Sequence, residues 1–443
     1  MLNLIEKVFA VLMLLYLSSG LTGFLSGDTQ FNVWRVEDNP LLLAIQAAMY
    51  AITFGFVVLH WRKFVSALRA GAWVLALAML ALVSTLWSND PDFTLRRGLV
   101  VIATTVFGIY FGSRYQLSRQ VRLLAWAFIL LAVLSAACAL LLPRYGIDNQ
   151  FHRGDWQGVF GQKNLLGKAM LVGMIALWSA KGVLLRIVRI VGLLLCAVVM
   201  VMSGSRAALV VLATLLLLAV GFRILRARLV TLIPVTIALL AMCAGVVLLA
   251  ARNSSLLLAS LGREITLTRR TEIWSAVWSA ISRHMTLGYG FSGFWAGLHG
   301  ESAQVAARLR FVPRHAHNGF LDLWLELGIV GLSLFGAGYL QAVSNGVRLV
   351  RISRDRLATW PLLYLAFMLL YDLTEGPILR QNNLYWALYV AVVVSAAEAL
   401  RRCQAECSIP ATLDLLEQQP GGLPRRTPGR LGDLHPEAGR SAA

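Results

Sequence analysis

Charged residues are scarce in this chain of 443 residues: they make up 14% of it, while hydrophobic residues make up 58%. Acidic residues are the scarcer sign, 22 against 40 basic ones, so the formal net charge is +18 at pH 7. A chain with so little charge cannot cover a water-soluble globule of this size with a polar surface. The composition therefore excludes an ordinary soluble enzyme and predicts a polytopic membrane protein.

Cysteines and cofactor-binding motifs are also few or missing. Cys138, Cys196 and Cys243 fall in apolar segments, and Cys403 and Cys407 lie in the polar C-terminal region, so neither a disulfide framework nor a metal site is predicted. The sequence contains no Walker loop, dinucleotide fingerprint or HExxH motif. We therefore expect no cofactor and no metal, and nucleotide hydrolysis and zinc chemistry are not supported.

Long apolar runs recur along the whole chain. Each is close to the ~20 residues that cross the hydrocarbon core of a bilayer as a helix. They predict an all-α membrane protein of about twelve transmembrane helices. The predicted segments are Val8–Leu25, Leu41–His60, Gly71–Trp87, Gly98–Gly112, Leu123–Leu142, Leu165–Ala180, Ile187–Met202, Ala207–Phe222, Leu229–Ala251, Gly319–Val343, Ala358–Leu373 and Leu384–Leu400.

Lysine and arginine cluster after every even-numbered segment. Because basic loops stay on the cytoplasmic side, this pattern places both termini in the cytoplasm of a bacterial inner membrane. It also accounts for much of the net charge, so no nucleic acid partner is needed, while a basic cytoplasmic face suits anionic membrane lipids. The clusters are Arg62, Lys63 and Arg69; Arg114, Arg119 and Arg122; Lys181, Arg186 and Arg189; Arg223, Arg226 and Arg228; Arg348, Arg351, Arg354 and Arg356; Arg401 and Arg402.

The chain divides into four predicted parts. Residues 1–251 hold helices one to nine, 252–316 a large periplasmic cap, 317–400 helices ten to twelve, and 401–443 a disordered cytoplasmic tail. The cap contains the apolar-aromatic stretch Glu272–Ile281, which predicts an amphipathic helix at the interface. A disordered outer loop is the alternative, although a stretch this aromatic is not typical of disorder.

Polar clusters that carry chemistry all fall on the outer side in this topology. A transporter would instead show polar groups near the midplane and comparable features on both sides. The clusters are His152-Arg153-Gly-Asp155-Trp156 with Lys163-Asn164; Ser203-Gly-Ser-Arg206; Arg269-Arg270-Thr-Glu-Ile-Trp274; and His315-Ala-His317-Asn318 with Asp322 and Glu326.

The order of these motifs resembles the O-antigen ligase and polymerase superfamily. The resemblance rests on Gly-Ser-Arg206, on Arg270-Thr-Glu-Ile-Trp274, and on His317-Asn318 followed nine residues later by Gly328-Ile-Val-Gly331. It implies a GT-C-like membrane fold and a metal-independent, inverting glycosyltransferase. Such an enzyme moves a glycan from a polyprenyl (undecaprenyl) pyrophosphate carrier to an acceptor hydroxyl in the periplasm.

Few groups are needed for that reaction. Arginine binds phosphate with a planar fork that stays charged, so Arg206 and Arg270 are the predicted pyrophosphate-binding residues. Histidine is neutral and basic near pH 7, which makes His317 the predicted catalytic base. His315 is the competing base, and Arg206 could instead be an arginine that snorkels from a helix end.

The remaining candidates each have a structural alternative. Asn318 could orient the imidazole, bind acceptor or cap its helix. Asp322 and Glu326 share a helix face and could tune the histidine or form an internal ion pair. Substrate contact or membrane anchoring remains open for the other predicted support residues, which are Lys163, Asn164, Trp156 and Arg269.

The acceptor distinguishes the possible functions. A polymerase joins lipid-linked repeat units of an exopolysaccharide or O-antigen, and the pattern from Trp156 to Gly167 favours this reading. A ligase transfers the glycan to lipid A-core, and a chain-length regulator is a further expected partner of a polymerase. A lipid-linked oligosaccharide flippase is the third hypothesis, but the chain shows no internal repeat typical of such carriers.

Overall fold

The computed structural model describes residues 1–20, 39–149, 153–224, 265–295, 300–309, 311, 313, 315–353, 355–373, 376 and 378–417. For residues 220–224, 265–269, 356 and 407–417 only the backbone is described. Helices account for nearly all regular structure in these ranges, where the only β pairing is two isolated bridges, Ile147 with Trp156 and Lys181 with Leu184. The prediction of an all-helical chain is confirmed for the part of the chain so described.

Each predicted apolar segment that falls on described residues overlaps a helix. Segment Leu229–Ala251 lies outside those residues. The helices are α1 (Leu2–Leu17), α2 (Pro40–Leu59), α3 (Trp61–Leu68), α4 (Ala72–Val83), α5 (Pro91–Arg114), α6 (Leu117–Leu141), α7 (Lys163–Ser179), α8 (Arg186–Met202), α9 (Arg206–Ile224), α10 (Ile265–Ile281), α11 (Gly300–Leu309), α12 (Gly319–Ile352), α13 (Trp360–Asp372) and α14 (Leu384–Glu417).

Five described helices are long and apolar enough to cross a membrane: α2, α5, α6, α12 and the Leu384–Glu406 part of α14. A sixth span arises if α3 and the helix that follows it form one broken segment, with an 89° bend between them. The chain is therefore a polytopic membrane protein. The total of twelve spans stays a prediction.

Two hydrophobic cores are present in the described ranges. The larger one runs through the bundle and includes Phe107, Phe128, Trp360 and Trp386, all at most 1% exposed. The smaller one belongs to the predicted cap, where Ile273, Ala276, Val277, Ala280 and Ile281 repeat at helical spacing along α10. They pack with Tyr289, Phe294, Val305 and Leu309. The described part of the cap is thus folded around its own apolar interior.

Helix α12 is broken near its start, which the apolar pattern did not predict. Gly328 has φ 66° and ψ −168°, so the segment Gly319–Leu327 is set off from the long remainder of the helix. A loop of the cap fills the break: Ile329 N–H donates to Met285 O at 2.9 Å, and Gly290 N–H donates to Glu326 O at 2.9 Å. Gly328 supplies the positive φ that the break requires, which glycine adopts without steric cost.

The C-terminal region begins as a helix. The first compact unit of the chain ends at Leu400. Helix α14 nevertheless continues to Glu417, so the predicted disorder does not start at residue 401. The predicted tail beyond Glu417 lies outside the described residues.

Replacing Gly328 with alanine should destabilise the protein. A Cβ at this position would collide with the Thr286 carbonyl, and φ 66° is unfavourable for alanine. We expect a loss of about 2 kcal/mol or more, measured as a lower midpoint of thermal unfolding in detergent. Gly336→Ala in the same helix is the control, because no atom lies within 4 Å of its added Cβ. The control should be neutral or up to about 1 kcal/mol more stable; equal midpoints for both variants would contradict the prediction.

Candidate functional site

Two side chains hold the loop before α12 through hydrogen bonds to the backbone N–H and carbonyl groups of Ala316. Asp322 Oδ1 accepts from Ala316 N–H at 2.9 Å, and Trp274 Nε1 donates to Ala316 O at 2.9 Å. Trp295 Nε1 also donates to Asp322 Oδ1, at 3.1 Å. The next residue, His317, has φ 51°, a conformation that few non-glycine residues adopt without support from their surroundings. The cap and the first turn of α12 together provide that support.

The two histidines of this loop contact each other. Their ring centroids lie 4.1 Å apart, and His315 Nδ1 accepts from the backbone N–H of His317 at 3.1 Å. His315 therefore helps to fix the backbone of His317. Nδ1 of His317 is buried and has no hydrogen-bond partner among the described residues.

Burial, and to a smaller extent the positive charge of Arg270, lowers the pKa of His317 from 6.5 to about 4. Both effects disfavour the imidazolium form. His317 is consequently neutral at pH 7 and can accept a proton. Arg270 lies on α10 of the cap, and its charge acts on His317 from there.

Asn318 caps α12. Its Oδ1 accepts from the backbone N–H groups of Phe320 at 3.0 Å and Leu321 at 3.2 Å, which is the structural alternative named for this residue. Its Nδ2 donates to Leu373 O at 3.5 Å. Asn318 thus joins the start of α12 to the end of α13.

Asp322 and Glu326 are 1% and 7% exposed. Glu326 accepts a backbone hydrogen bond from Ser292, and the positive charges of Arg97 and Arg380 act on it. Arg380 also acts on Asp322. The hydrogen bonds to these carboxylates come from Ala316, Trp295 and Ser292, so the internal ion pair stays a prediction.

The sequence analysis missed both arginines. Arg97 directly precedes the predicted span Gly98–Gly112, where a charge in an otherwise apolar region was a usable signal. Arg380 lies in the short loop before α14 and gave no such signal.

The first two polar clusters meet around the turn at Ser203–Ser205. Gly204 has φ 59°, and a Cβ there would lie 2.6 Å from Asp155 Oδ1. Ser205 Oγ donates to Asn164 Oδ1 at 3.2 Å. Lys163 Nζ is 2.7 Å from Asp155 Oδ2, so the structure gives Lys163 an internal partner that neither sequence alternative had foreseen.

Arg206 begins α9 directly after this turn and is exposed. Within the described ranges no carboxylate lies at ion-pair distance from it. Trp156 is partly buried against the bundle, and its backbone N–H donates to Met202 O at 2.9 Å. The Arg269 side chain and all of His152 fall outside the described residues.

Helix α13 connects the turn to the histidine loop. The Tyr371 hydroxyl donates to Asn164 O at 3.0 Å, and two residues later Leu373 O accepts from Asn318. The C-terminal end of α13 therefore contacts both the segment that holds Asn164 and the segment that holds Asn318. No group of three or more His, Cys, Asp or Glu side chains suited to a metal ion occurs in the described part of the chain.

The described residues define a polytopic helical membrane protein in which Trp274 and Trp295 hold the loop and helix start around His317. Residues 191–336 match the family model described as O-Antigen ligase. Arg206, Arg270 and His317 all lie within the matched region. Residues 191–336 are thus an O-antigen ligase domain, and this match supports the resemblance of the chain to the O-antigen ligase and polymerase superfamily.

Two relatives agree with this assignment. The exopolysaccharide production protein ExoQ of Rhizobium meliloti (strain 1021) is 24% identical over 299 residues, which cover 65% of this chain and 68% of that protein. The "Putative polysaccharide ligase RP358" of Rickettsia prowazekii (strain Madrid E) is 35% identical over 97 residues, 20% of this chain and 23% of that protein. The chain is thus similar both to a protein of exopolysaccharide production and to one named as a ligase.

Asp322→Ala should loosen the histidine loop. It leaves the buried N–H of Ala316 and the indole N–H of Trp295 without their acceptor, so we expect a loss of about 2 kcal/mol, seen as a lower midpoint of thermal unfolding in detergent. Glu272→Ala on the exposed side of α10 is the control and should change stability by no more than about 0.5 kcal/mol. Unchanged unfolding of Asp322→Ala would show that the carboxylate does not hold the loop.

Proposed function

We propose that the protein is a membrane glycosyltransferase that moves a glycan from polyprenyl (undecaprenyl) pyrophosphate to an acceptor sugar hydroxyl on the periplasmic side of a bacterial inner membrane. Polymerisation of exopolysaccharide or O-antigen repeat units is the preferred reaction. The observation that carries the proposal is the buried, neutral His317, whose pKa the charge of Arg270 helps to lower, within the region that matches the ligase family.

His317 is the catalytic base of the proposed reaction. It takes the proton from the acceptor hydroxyl, whose oxygen then attacks the anomeric carbon of the donor. The bond from that carbon to the diphosphate oxygen breaks, and its electron pair leaves with the polyprenyl pyrophosphate. A single displacement inverts the anomeric configuration, and the proton on His317 passes to solvent.

Arg206 and Arg270 are the proposed pyrophosphate-binding residues. The leaving diphosphate gains negative charge, which a fixed guanidinium stabilises more in the transition state than in the ground state. The exposure of Arg206 supports this role, because its side chain is open to a ligand. No metal ion is needed for either step in this proposal.

Ligation is the second candidate function. In it, the same chemistry transfers a finished glycan to lipid A-core instead of to a growing chain. The description of the matching family model and the name of the Rickettsia prowazekii relative favour it, whereas similarity to ExoQ over most of both chains favours the polymerase. A chain-length regulator would be a partner of the polymerase only.

Purified protein in detergent should transfer glycan from a polyprenyl-pyrophosphate donor. His317→Ala should lower kcat by about 100-fold to 10,000-fold, and Arg206→Ala or Arg270→Ala by about 100-fold or more. Product is measured by gel electrophoresis of labelled glycan. His284→Ala and Arg308→Ala, exposed positions of the cap, are the controls and should retain activity.

Two acceptors separate the candidate functions in the same assay. Lengthening of lipid-linked repeat units supports the polymerase, and transfer only to lipid A-core supports the ligase. If neither acceptor is used, or if His317→Ala keeps full activity while His315→Ala loses it, the proposed base is wrong.

The pH dependence of kcat/KM should report the lowered pKa of His317. Because the pKa of His317 is about 4 in the folded protein, kcat/KM should stay level as pH falls from 7 to about 5 and decline about tenfold per pH unit only below about 4. Arg270→Gln removes a charge that lowers this pKa, so the decline should begin at a higher pH. A wild-type decline centred near 6.5 would contradict the assignment.

The lowered pKa of His317 also determines in which direction the stability of the folded protein changes with pH. The unfolded chain takes up this proton at about 6.5, above the folded value. The stabilising contribution of the neutral form is therefore complete above about pH 6.5 and is lost as the pH falls toward 4.

A further inference from the structure

A lysine with no part in the proposed chemistry is buried near the outer end of α7. Lys168 is 8% exposed. Its Nζ lies 4.4 Å from the ring centroid of Tyr371 and 4.0 Å from that of Tyr385. A charge inside an apolar helix bundle is costly unless it is compensated. We therefore expect neighbouring groups that stabilise the ammonium group. The predicted span Leu165–Ala180 contains this residue, yet the sequence analysis did not single it out.

Asp372 is the acidic group on which Lys168 acts. It is the last residue of α13, is 4% exposed, and experiences the positive charge of Lys168. The two aromatic faces add cation–π attraction to the ammonium group. Lys168, Asp372 and the two tyrosines therefore connect α7, α13 and α14 at one point.

This connection lies directly against the candidate site. A Cβ on Gly319 would be 3.2 Å from Asp372 Cβ. The residues on either side of Asp372 bind the two separate site segments: Tyr371 donates to Asn164 O at 3.0 Å, and Leu373 O accepts from Asn318 Nδ2 at 3.5 Å. Any movement of this end of α13 would change the distance between those segments.

We propose that the Lys168–Asp372 pair is a positioning element that holds the His317–Asn318 loop in register with the Asn164–Arg206 segment. This inference rests on the proposed function. Lys168 is not assigned to donor binding, because it is 8% exposed and its ammonium group lies against two aromatic rings.

Three variants test the pair. Lys168→Met and Asp372→Asn each leave one buried charge without its partner, whereas Lys168→Met/Asp372→Asn leaves a neutral pair of similar volume. We expect each single variant to lower kcat by about tenfold or more per folded molecule, with the donor KM changed by less than about threefold. The double variant should recover to within about threefold of the parent. Lys181→Met, an exposed lysine just after α7, is the control and should match the parent.

The kinetic pattern decides the role. Unchanged kcat per folded molecule with lowered thermal stability would make the pair merely structural and overturn the proposal. A rise in KM with unchanged kcat would identify Lys168 as a substrate-binding residue and also overturn it. If the single variants do not fold, the double variant decides alone: a folded but slow double variant contradicts the proposal, and a folded one near parental kcat supports it.

His317→Ala, measured beside the Lys168 and Asp372 variants, separates this inference from the proposed function. Full activity of that variant would refute the proposed base, whereas an inactive His317→Ala beside parental single variants would refute only the positioning role.

Discussion

A charge that leaves water must find a partner inside the protein, and this requirement determines how the helices are joined. Glu6 on α1 is 1% exposed and is met by Arg114 Nη2 at 2.7 Å from the end of α5 and by His60 Nε2 at 3.0 Å from the end of α2. Lys163 and Asp155 pair in the same way at 2.7 Å. In each case the partners come from different segments, so compensation of charge also fixes the position of one segment against another.

The break at Gly328 shows the same rule applied to backbone groups. Backbone carbonyl and amide groups that lose their helical partners at the break form hydrogen bonds with the cap instead. One example is the bond from Ile329 N–H to Met285 O. A continuous helix would have no such groups to offer and could not bind the cap loop. The first turns of α12 are thus bonded to the cap, which supplies Trp274 and Trp295 as hydrogen-bond donors near the histidine loop. The remainder of the helix packs in the core of the bundle.

Sequence patterns predicted the helices well because apolar length and periodicity are local properties. They did not predict the 89° bend after α3 or the break in α12, since both depend on contacts with distant segments. For the candidate site, the association of His317 with Arg270 could be anticipated from motif order. Pairings such as Lys163 with Asp155, or Lys168 with Asp372, could not, because no local spacing reveals which distant carboxylate a buried lysine will meet. An ionisable residue within a predicted span, such as Lys168, is nevertheless a visible signal that a partner exists.

Charge compensation also separates the cations of the site by role. Lys163 and Lys168 are each matched by a carboxylate, and Arg97 and Arg380 act on the buried Glu326. The Lys163 charge is matched by a carboxylate at 2.7 Å, so an anionic ligand would gain little from it. Arg206 differs because it is exposed and no carboxylate in the described ranges lies at ion-pair distance. A diphosphate bound near Arg270 would offset the positive charge that helps to lower the pKa of His317. Donor binding would in this way increase the basicity of His317 as the acceptor hydroxyl is deprotonated.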